Sequence, residues 1–241
     1  MSRETRSILI VDGSSTMLFY LGMLLKRLDY RPQTARSAEE ALKSLDQTLP
    51  TIVLTDLALP RMSGIQLLKA LKDDPRTRAV PVVILCSEVD PGLRDTCTRM
   101  GCAAFLNKPV EPDVLYRALQ SVSEATPRRN IRLSTSLKVI VGDGSPLGGA
   151  ERTEYATAIS EGGLYVRTLY PQPQNTLVPV RIFINDREIK AKALVLYSYA
   201  RNEGPYKEPG MGMKFVEISD HDREVIRAFI KEQLTRDIEP Q

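Results

Sequence analysis

Two sets of side chains in this sequence have the types and spacing to do chemistry. In the first, Asp12 directly follows the apolar run Ile8-Leu9-Ile10-Val11, Asp56 closes Ile52-Val53-Leu54-Thr55, Cys86-Ser87 follows Val82-Val83-Ile84-Leu85, and Lys108-Pro109 follows Ala103 to Asn107. If those runs are parallel strands of one open sheet, all four positions open on the edge where ligands bind in α/β sheets. Two carboxylates and an ammonium then share one pocket. A carboxylate so placed can attack a phosphoryl group when Mg2+ and a cation offset the charge that accumulates. One loop aspartate alone would be read as solvated; four such positions in order would not.

In the second set, Arg128-Arg129-Asn130-Ile131-Arg132 brings three guanidiniums within five residues, and Ala158-Ile159-Ser160-Glu161-Gly162-Gly163 ends a run of β-formers in a tight turn. Arginine pairs bidentately with guanine O6 and N7, binds phosphate oxygens and stacks its plane on a base. The glycines allow a close backbone approach. Alone, the arginines would be a solvated linker; together with the turn they point to a guanine nucleotide that carries phosphates.

The elements that must position these residues change in kind halfway along the chain. Up to about Glu124, continuous apolar runs read as strands buried on both faces, and they alternate with amphipathic segments such as Met17 to Leu28. Ser37-Ala38-Glu39-Glu40 has the form of a capping box, Pro112 suits the first turn of a helix reaching about Ser123, and a helix is expected over about Gly92 to Met100. This is a doubly wound α/β domain with a parallel sheet. Beyond Pro127, strands are expected at Leu137 to Val141, Tyr155 to Ile159, Leu164 to Thr168, Val180 to Ile184, Ile189 to Tyr199 and Met213 to Ile218. A helix capped at Ser219 then buries Val225, Ile226, Phe229, Ile230 and Leu234. Six strands at this spacing suit a small antiparallel β-barrel. The division is residues 1–124 and 125–241, with the arginines at 125–132 forming the junction.

Composition removes other classes. The chain of 241 residues is 42% hydrophobic with a formal charge of +3, so two ordinary cores are affordable and neither half is polarised for DNA. Cys86, Cys97 and Cys102 match no zinc spacing, and an odd count argues against a disulfide framework, which suits a reducing cytoplasm. Cys97 and Cys102 read as packing residues. No apolar run is long enough for a membrane span, and the start lacks a secretory core. The one histidine, His221, falls on a helix surface and excludes most histidine-based metal sites and triads. Tyr165, Tyr197 and Tyr199 are expected in the barrel core by default, with the rim as the other placement. No enzyme constellation is visible.

The first half resembles the receiver domain of two-component response regulators. The resemblance is carried by Val11-Asp12-Gly13-Ser14, by Thr55-Asp56 through Met62-Ser63-Gly64, by Pro81 through Ser87, and by Phe105-Leu106-Asn107-Lys108-Pro109. It implies a flavodoxin-like five-stranded sheet with Asp56 as phosphoacceptor and Asp12 and Asp56 at a Mg2+ site. It further implies Lys108 as the phosphoryl-contacting lysine, Cys86 and Phe105 at the switch positions, and a histidine kinase as partner. Pairing of two copies through the face around the fourth helix and fifth strand is also implied. The second half resembles a PilZ domain, on the arginines, on Ser160 and Gly163, and on Gly210 to Phe215 followed by Ser219 to Arg223. That implies cyclic di-GMP bound by Arg128, Arg129, Arg132, Ser160 and Gly163.

Three departures bear on function. Gly13 stands where receivers carry a second acid, leaving water to complete the Mg2+ shell. Cys86 replaces a hydroxyl with a poor hydrogen-bond donor. Ala158 replaces the Asp or Asn that would accept from guanine N1 and N2, at a cost of about 1 to 3 kcal/mol. The reading is a cytoplasmic response regulator whose PilZ output binds cyclic di-GMP and shifts the domain arrangement to act on a protein target. The alternative is an adaptor in which both domains are degenerate and work by protein contacts.

Overall fold

The computed structural model describes residues 6–87, 90–146, 148–204 and 207–238. Apolar runs with no polar alternation can only be strands covered on both faces, and β1 (Arg6–Val11), β3 (Ile52–Asp56) and β4 (Val82–Cys86) take that place, β3 and β4 being buried at every residue. With β2 (Tyr30–Ala35) and β5 (Ala104–Asn107) they form a parallel sheet in the order β2-β1-β3-β4-β5. This is the flavodoxin-like order, whose direction of winding reverses between β1 and β3. The five-stranded sheet requires a second strand, but residue pattern does not locate it: β2, with the sequence Tyr-Arg-Pro-Gln-Thr-Ala, has no apolar run. It is an edge strand, where Pro32 can stand without a ladder donor and only Tyr30 and Ala35 are buried.

Five helices, α1 (Ser15–Arg27), α2 (Ala38–Leu45), α3 (Gly64–Asp73), α4 (Pro91–Arg99) and α5 (Pro112–Ser123), alternate with these strands. Leu18, Leu21, Leu24 and Leu25 form the buried stripe of α1. The expected capping box at α2 is only half made. Ser37 accepts from the Glu40 amide at 3.2 Å, but the Glu40 carboxylate accepts from the Arg36 amide instead of the cap's own. The complete box lies at α3, between Ser63 and Gln66.

The described chain divides into two units, the first of residues 6–129 with residues 234–238 and the second of residues 130–233. In the second, β6 (Leu133–Val141), β7 (Arg152–Ser160), β8 (Gly163–Arg167), β9 (Leu177–Ile184), β10 (Arg187–Tyr199) and β11 (Gly210–Ile218) close into an antiparallel barrel in the order β10-β11-β8-β7-β6-β9. Strand β6 begins four residues earlier than its apolar pattern does, because Ser134 pairs with Ala158 before a bulge that ends at Leu137. Inward residues such as Ile182, Ile189, Ala193, Val195, Met211 and Met213 fill the interior. The closing helix α6 (Asp220–Thr235) is capped by Ser219, whose Oγ accepts from the Asp222 amide at 3.0 Å, and it buries Ile226, Phe229 and Ile230 while Val225 is only half-buried. The three tyrosines are not in this core. Tyr165 lies on the outer face between the inward Leu164 and Val166, and Tyr197 and Tyr199 lie there because a bulge between Val195 and Tyr197 shifts the register of β10, so that Val195 still points inward while Tyr197 pairs with Gly212 on the outer face. Among the described residues, no helix is long and apolar enough to cross a membrane.

Candidate functional site

Asp12 and Asp56 end or follow β1 and β3, the two strands that flank the reversal of winding, so the crevice at the sheet edge opens between their carboxylates. Lys108, just after β5, reaches both: its Nζ lies 2.8 Å from Asp12 Oδ2 and 2.9 Å from Asp56 Oδ2. The three expected residues are therefore one cluster, with side-chain exposures of 3% for Asp12, 11% for Asp56 and 14% for Lys108. Burial by itself would lower the pKa of the Lys108 ammonium. The hydrogen bonds and negative charge of Asp12 and Asp56 outweigh burial and hold it above the ordinary lysine value.

Local sequence fixes each member. The Ser14 amide donates to Asp12 Oδ1 at 2.8 Å while Ser14 Oγ accepts from the Met17 amide, so the turn that presents Asp12 is also the start of α1. The Lys108 amide donates to the Cys86 carbonyl at 2.7 Å, tying the end of β5 to the end of β4. Gly64 closes the motif that begins at Thr55-Asp56. Its amide donates to the Leu57 carbonyl, and a Cβ there would lie 2.3 Å from the Asp56 carbonyl oxygen. Only glycine lets α3 begin against the peptide of Asp56.

Two carboxylates suit one face of a Mg2+ ion, which fills its remaining positions with water. Among the described residues no group of three or more acids, histidines or cysteines converges as a metal site. At Gly13 an added Cβ would meet only Pro60 Cδ at 3.4 Å, an ordinary contact, so the missing third acid is a matter of residue type and not of space. Cys86 is 2% exposed and belongs to the apolar cluster that holds Cys97, Phe105, Leu67 and Ile84, while the following Ser87 is exposed. Phe105 is also buried, with the Arg94 guanidinium of α4 5.2 Å from its ring centroid.

On the barrel, Ser160 and Gly163 bracket the β7–β8 turn, and Ser160 Oγ donates to the Gly163 carbonyl at 3.1 Å. Gly163 has a structural reason of its own: a Cβ there would stand 2.0 Å from the Met213 carbonyl oxygen, where β8 runs beside β11. The turn is held by Phe215 and Arg223, which lie in the stretches that carry the PilZ resemblance but have no role there, and by Arg227 beyond them. Arg223 Nη1 of α6 donates to the Glu161 carbonyl at 2.8 Å, Arg227 Nη2 reaches Glu161 Oε2 at 3.0 Å, and the Phe215 amide donates to the Gly162 carbonyl at 2.9 Å. The spacing of Arg223 and Arg227 puts both on one helix face, a signal open to sequence reading; their partner, more than sixty residues earlier, was not.

The arginines differ among themselves. Arg128 is half-buried and its amide donates to Gln120 Oε1 at 3.3 Å. Arg129 and Arg132 are exposed, and among the described residues neither has an ion-pair partner or a hydrogen bond from its guanidinium. Arg132 is thus not joined to Ser160 or Gly163. Ala158 faces outward between two cross-strand neighbours, Ser134 on β6 and Tyr165 on β8.

Comparison with known proteins finds a separate family in each half. Residues 8–120 match the family model of the response regulator receiver domain, and residues 125–232 match that of the PilZ domain. The chain is 38% identical over 120 residues to response regulator Rre1 of Synechocystis sp., covering 49% of this chain and 52% of that protein. It is 35% identical over 117 residues to two-component response regulator ORR3 of Oryza sativa subsp. indica, covering 48% and 88% respectively. It is 30% identical over 117 residues to the polar-differentiation response regulator DivK of Brucella ovis, covering 48% and 95%. The chain thus spans about half the length of Rre1, and it spans about a quarter of that of PleD of Caulobacter vibrioides.

Proposed function

Because this chain belongs to the two-component response regulators, with a receiver domain followed by a PilZ domain, we propose that it takes a phosphoryl group at Asp56 and binds cyclic di-GMP on its barrel. These are signalling and sensing domains, and the chain is no enzyme. The observation that carries the first part is the Lys108 ammonium held between Asp12 and Asp56 at 2.8 and 2.9 Å.

A carboxylate oxygen of Asp56 attacks phosphorus; the O–P bond forms as the bond to the donor, a kinase phosphohistidine or acetyl phosphate, breaks and the donor leaves with its electron pair. Lys108 then exchanges its Asp56 contact for a phosphoryl oxygen, keeping its charge near the added negative charge. Asp12 and Asp56 would hold Mg2+, which supplies charge neutralisation of the transferring group. Weak metal binding is the expected consequence of Gly13.

For cyclic di-GMP, support comes from the exposed guanidiniums of Arg129 and Arg132 and from the anchored turn at Ser160 and Gly163. Arg128, Arg129 and Arg132 close on guanine and phosphate. Because the arginine segment follows α5 directly, ligand capture orders this segment and resets the arrangement of the two units, which is the signal to a protein target. Titration calorimetry with cyclic di-GMP tests the binding, on wild type and on Arg128→Ala/Arg132→Ala. Heat in the first and none in the second is expected; silence in the wild type overturns it. Small-angle scattering that is the same with and without saturating ligand would overturn the rearrangement.

A second reading, an adaptor working through protein contacts, is favoured by the burial of Cys86 among core residues, which leaves no hydroxyl at that position to report a phosphoryl group. Acetyl phosphate or beryllofluoride with Mg2+ separates the two. A mass gain or an altered oligomeric state supports phosphorylation, and no change in either leaves the adaptor.

A further inference from the structure

Beyond the arginines and the β7–β8 turn, the outer face of the barrel carries an aromatic surface whose place in the register has consequences for the ligand. Reading outward residues across the strands, Ser134 on β6 pairs with Ala158 on β7, Ala158 with Tyr165 on β8, Tyr165 with Gly212 on β11, and Gly212 with Tyr197 on β10. The next outward row toward the ligand turn holds Ser160 and Gly163. The tyrosines therefore begin one strand away from Ala158 and two residues along from Gly163.

Their packing makes them a platform. A Cβ at Gly212 would lie 2.2 Å from Tyr197 Cζ, and one at Gly210 would lie 2.7 Å from Tyr165 Oη, so the phenol ends of both rings lie over a glycine floor on β11. The two ring planes are 29° apart with centroids 6.4 Å apart, and Tyr199 continues the surface at 5.4 Å from Tyr197. One face of these rings is covered by backbone, yet Tyr197 remains 36% exposed. A ring fixed in this way loses little entropy on receiving a flat partner.

Resting on the reading of the barrel as a cyclic di-GMP binder, we propose that one guanine of the ligand stacks on the Tyr165–Tyr197 surface and that this contact offsets the acceptor missing at Ala158. The occupant follows from continuity. A guanine whose phosphates are held at the Ser160–Gly163 turn and at Arg132 has the tyrosine surface as its neighbour along β8. The one-methyl side chain of Ala158 leaves the approach to Tyr165 open where a carboxylate would stand. Stacking on an aromatic ring is insensitive to the base edge and is worth on the order of tenfold to a hundredfold in affinity.

The test uses the full chain and cyclic di-GMP. In the wild type, cross-relaxation between guanine H8 and tyrosine ring protons is expected by nuclear magnetic resonance, together with quenching of tyrosine emission, which no tryptophan masks because the chain has none. Tyr165→Leu and Tyr197→Leu, which keep the glycines covered, are expected to raise Kd by roughly tenfold or more, and Tyr165→Phe and Tyr197→Phe to leave it within about threefold. If the wild type binds but shows no tyrosine contact, or if both leucine variants bind as it does, the stacking proposal alone falls. If the wild type gives no heat with cyclic di-GMP, the reading of the barrel falls and takes the proposal with it.

Discussion

At the edge of the parallel sheet Lys108 sits 14% exposed between two carboxylates, whereas Arg129 and Arg132 face solvent with no ion-pair partner among the described residues. The first cluster is assembled before any ligand arrives. Its members stand on strand ends whose positions are set by a core of Val, Ile and Leu, and the ion pairs are shielded from water. The second leaves long cationic side chains free, so on the proposed reading ordering them is a cost taken on binding. The lesson is that the receiver site is preorganised and its weakness is chemical, at Gly13 and Cys86. The proposed barrel site is held at the turn, where α6 grips Glu161, and its strength would depend on what the arginines gain on closing.

Breaking the preorganised site at its nucleophile gives the largest effect. Asp56→Asn is expected to abolish incorporation of a phosphoryl group from acetyl phosphate with Mg2+, read by intact mass, while binding of cyclic di-GMP persists. Next comes Arg128→Ala/Arg132→Ala, expected to weaken cyclic di-GMP by about a hundredfold, since each charge-assisted contact is worth on the order of 1.5 to 3 kcal/mol and part of it is recovered by Arg129. That variant is expected to stay close to the wild-type urea midpoint, because Arg132 is exposed and the hydrogen bond from Arg128 to Gln120 comes from the backbone amide, which alanine keeps.

Lys108→Met is expected to destabilise the protein by on the order of 3 kcal/mol near neutral pH, because it leaves two buried carboxylates facing each other. The pH dependence has a definite sign. The folded pKa of Lys108 is raised, so its contribution is fully present below the unfolded lysine value of about 10.4 and is lost as pH rises through the higher folded value. Urea unfolding of both proteins from neutral to strongly alkaline pH checks this; a gap that closes already near neutrality would contradict it. Gly13→Asp sharpens the comparison in the other direction. With room for a side chain and only Pro60 nearby, a third acid is expected to tighten Mg2+ binding by roughly tenfold, measured by quenching or calorimetry. The smallest effect is Arg223→Ala, which frees the Glu161 carbonyl and is expected to raise the cyclic di-GMP Kd by about threefold, with a loss of order in the turn seen as faster amide exchange.

Much of this architecture could be read from residue order. Ile8 to Val11, Ile52 to Thr55 and Val82 to Leu85 have no polar alternation, and only a sheet covered on both faces tolerates that; the alternation of Val180 to Ile184 marks a half-exposed strand in the same direct way. The position of β2 is not legible because an edge strand needs few apolar residues, and that of the first residues of β6 because Ser134 and Ser136 reveal no period. The Ser37 box looked complete because its spacing is right, yet the Glu40 carboxylate found the neighbouring amide. The tyrosines were misplaced because a β-strand tyrosine has the same signature inward or outward until the register is known.

Sequence alone determined the residue types that can do chemistry and the strand ends or turns that carry them, because local propensity and periodicity act over a few residues. It also determined the three departures at Gly13, Cys86 and Ala158. Tertiary structure decided which side chains meet. It put Lys108 on two carboxylates from strands 52 and 96 residues earlier in the chain, pressed α3 against Asp56 at Gly64, and clamped Glu161 under α6. It also turned Tyr165 and Tyr197 outward beside Ala158. Those are contacts at long sequence separation, fixed by sheet order and barrel register, and neither is encoded in any short stretch of residues.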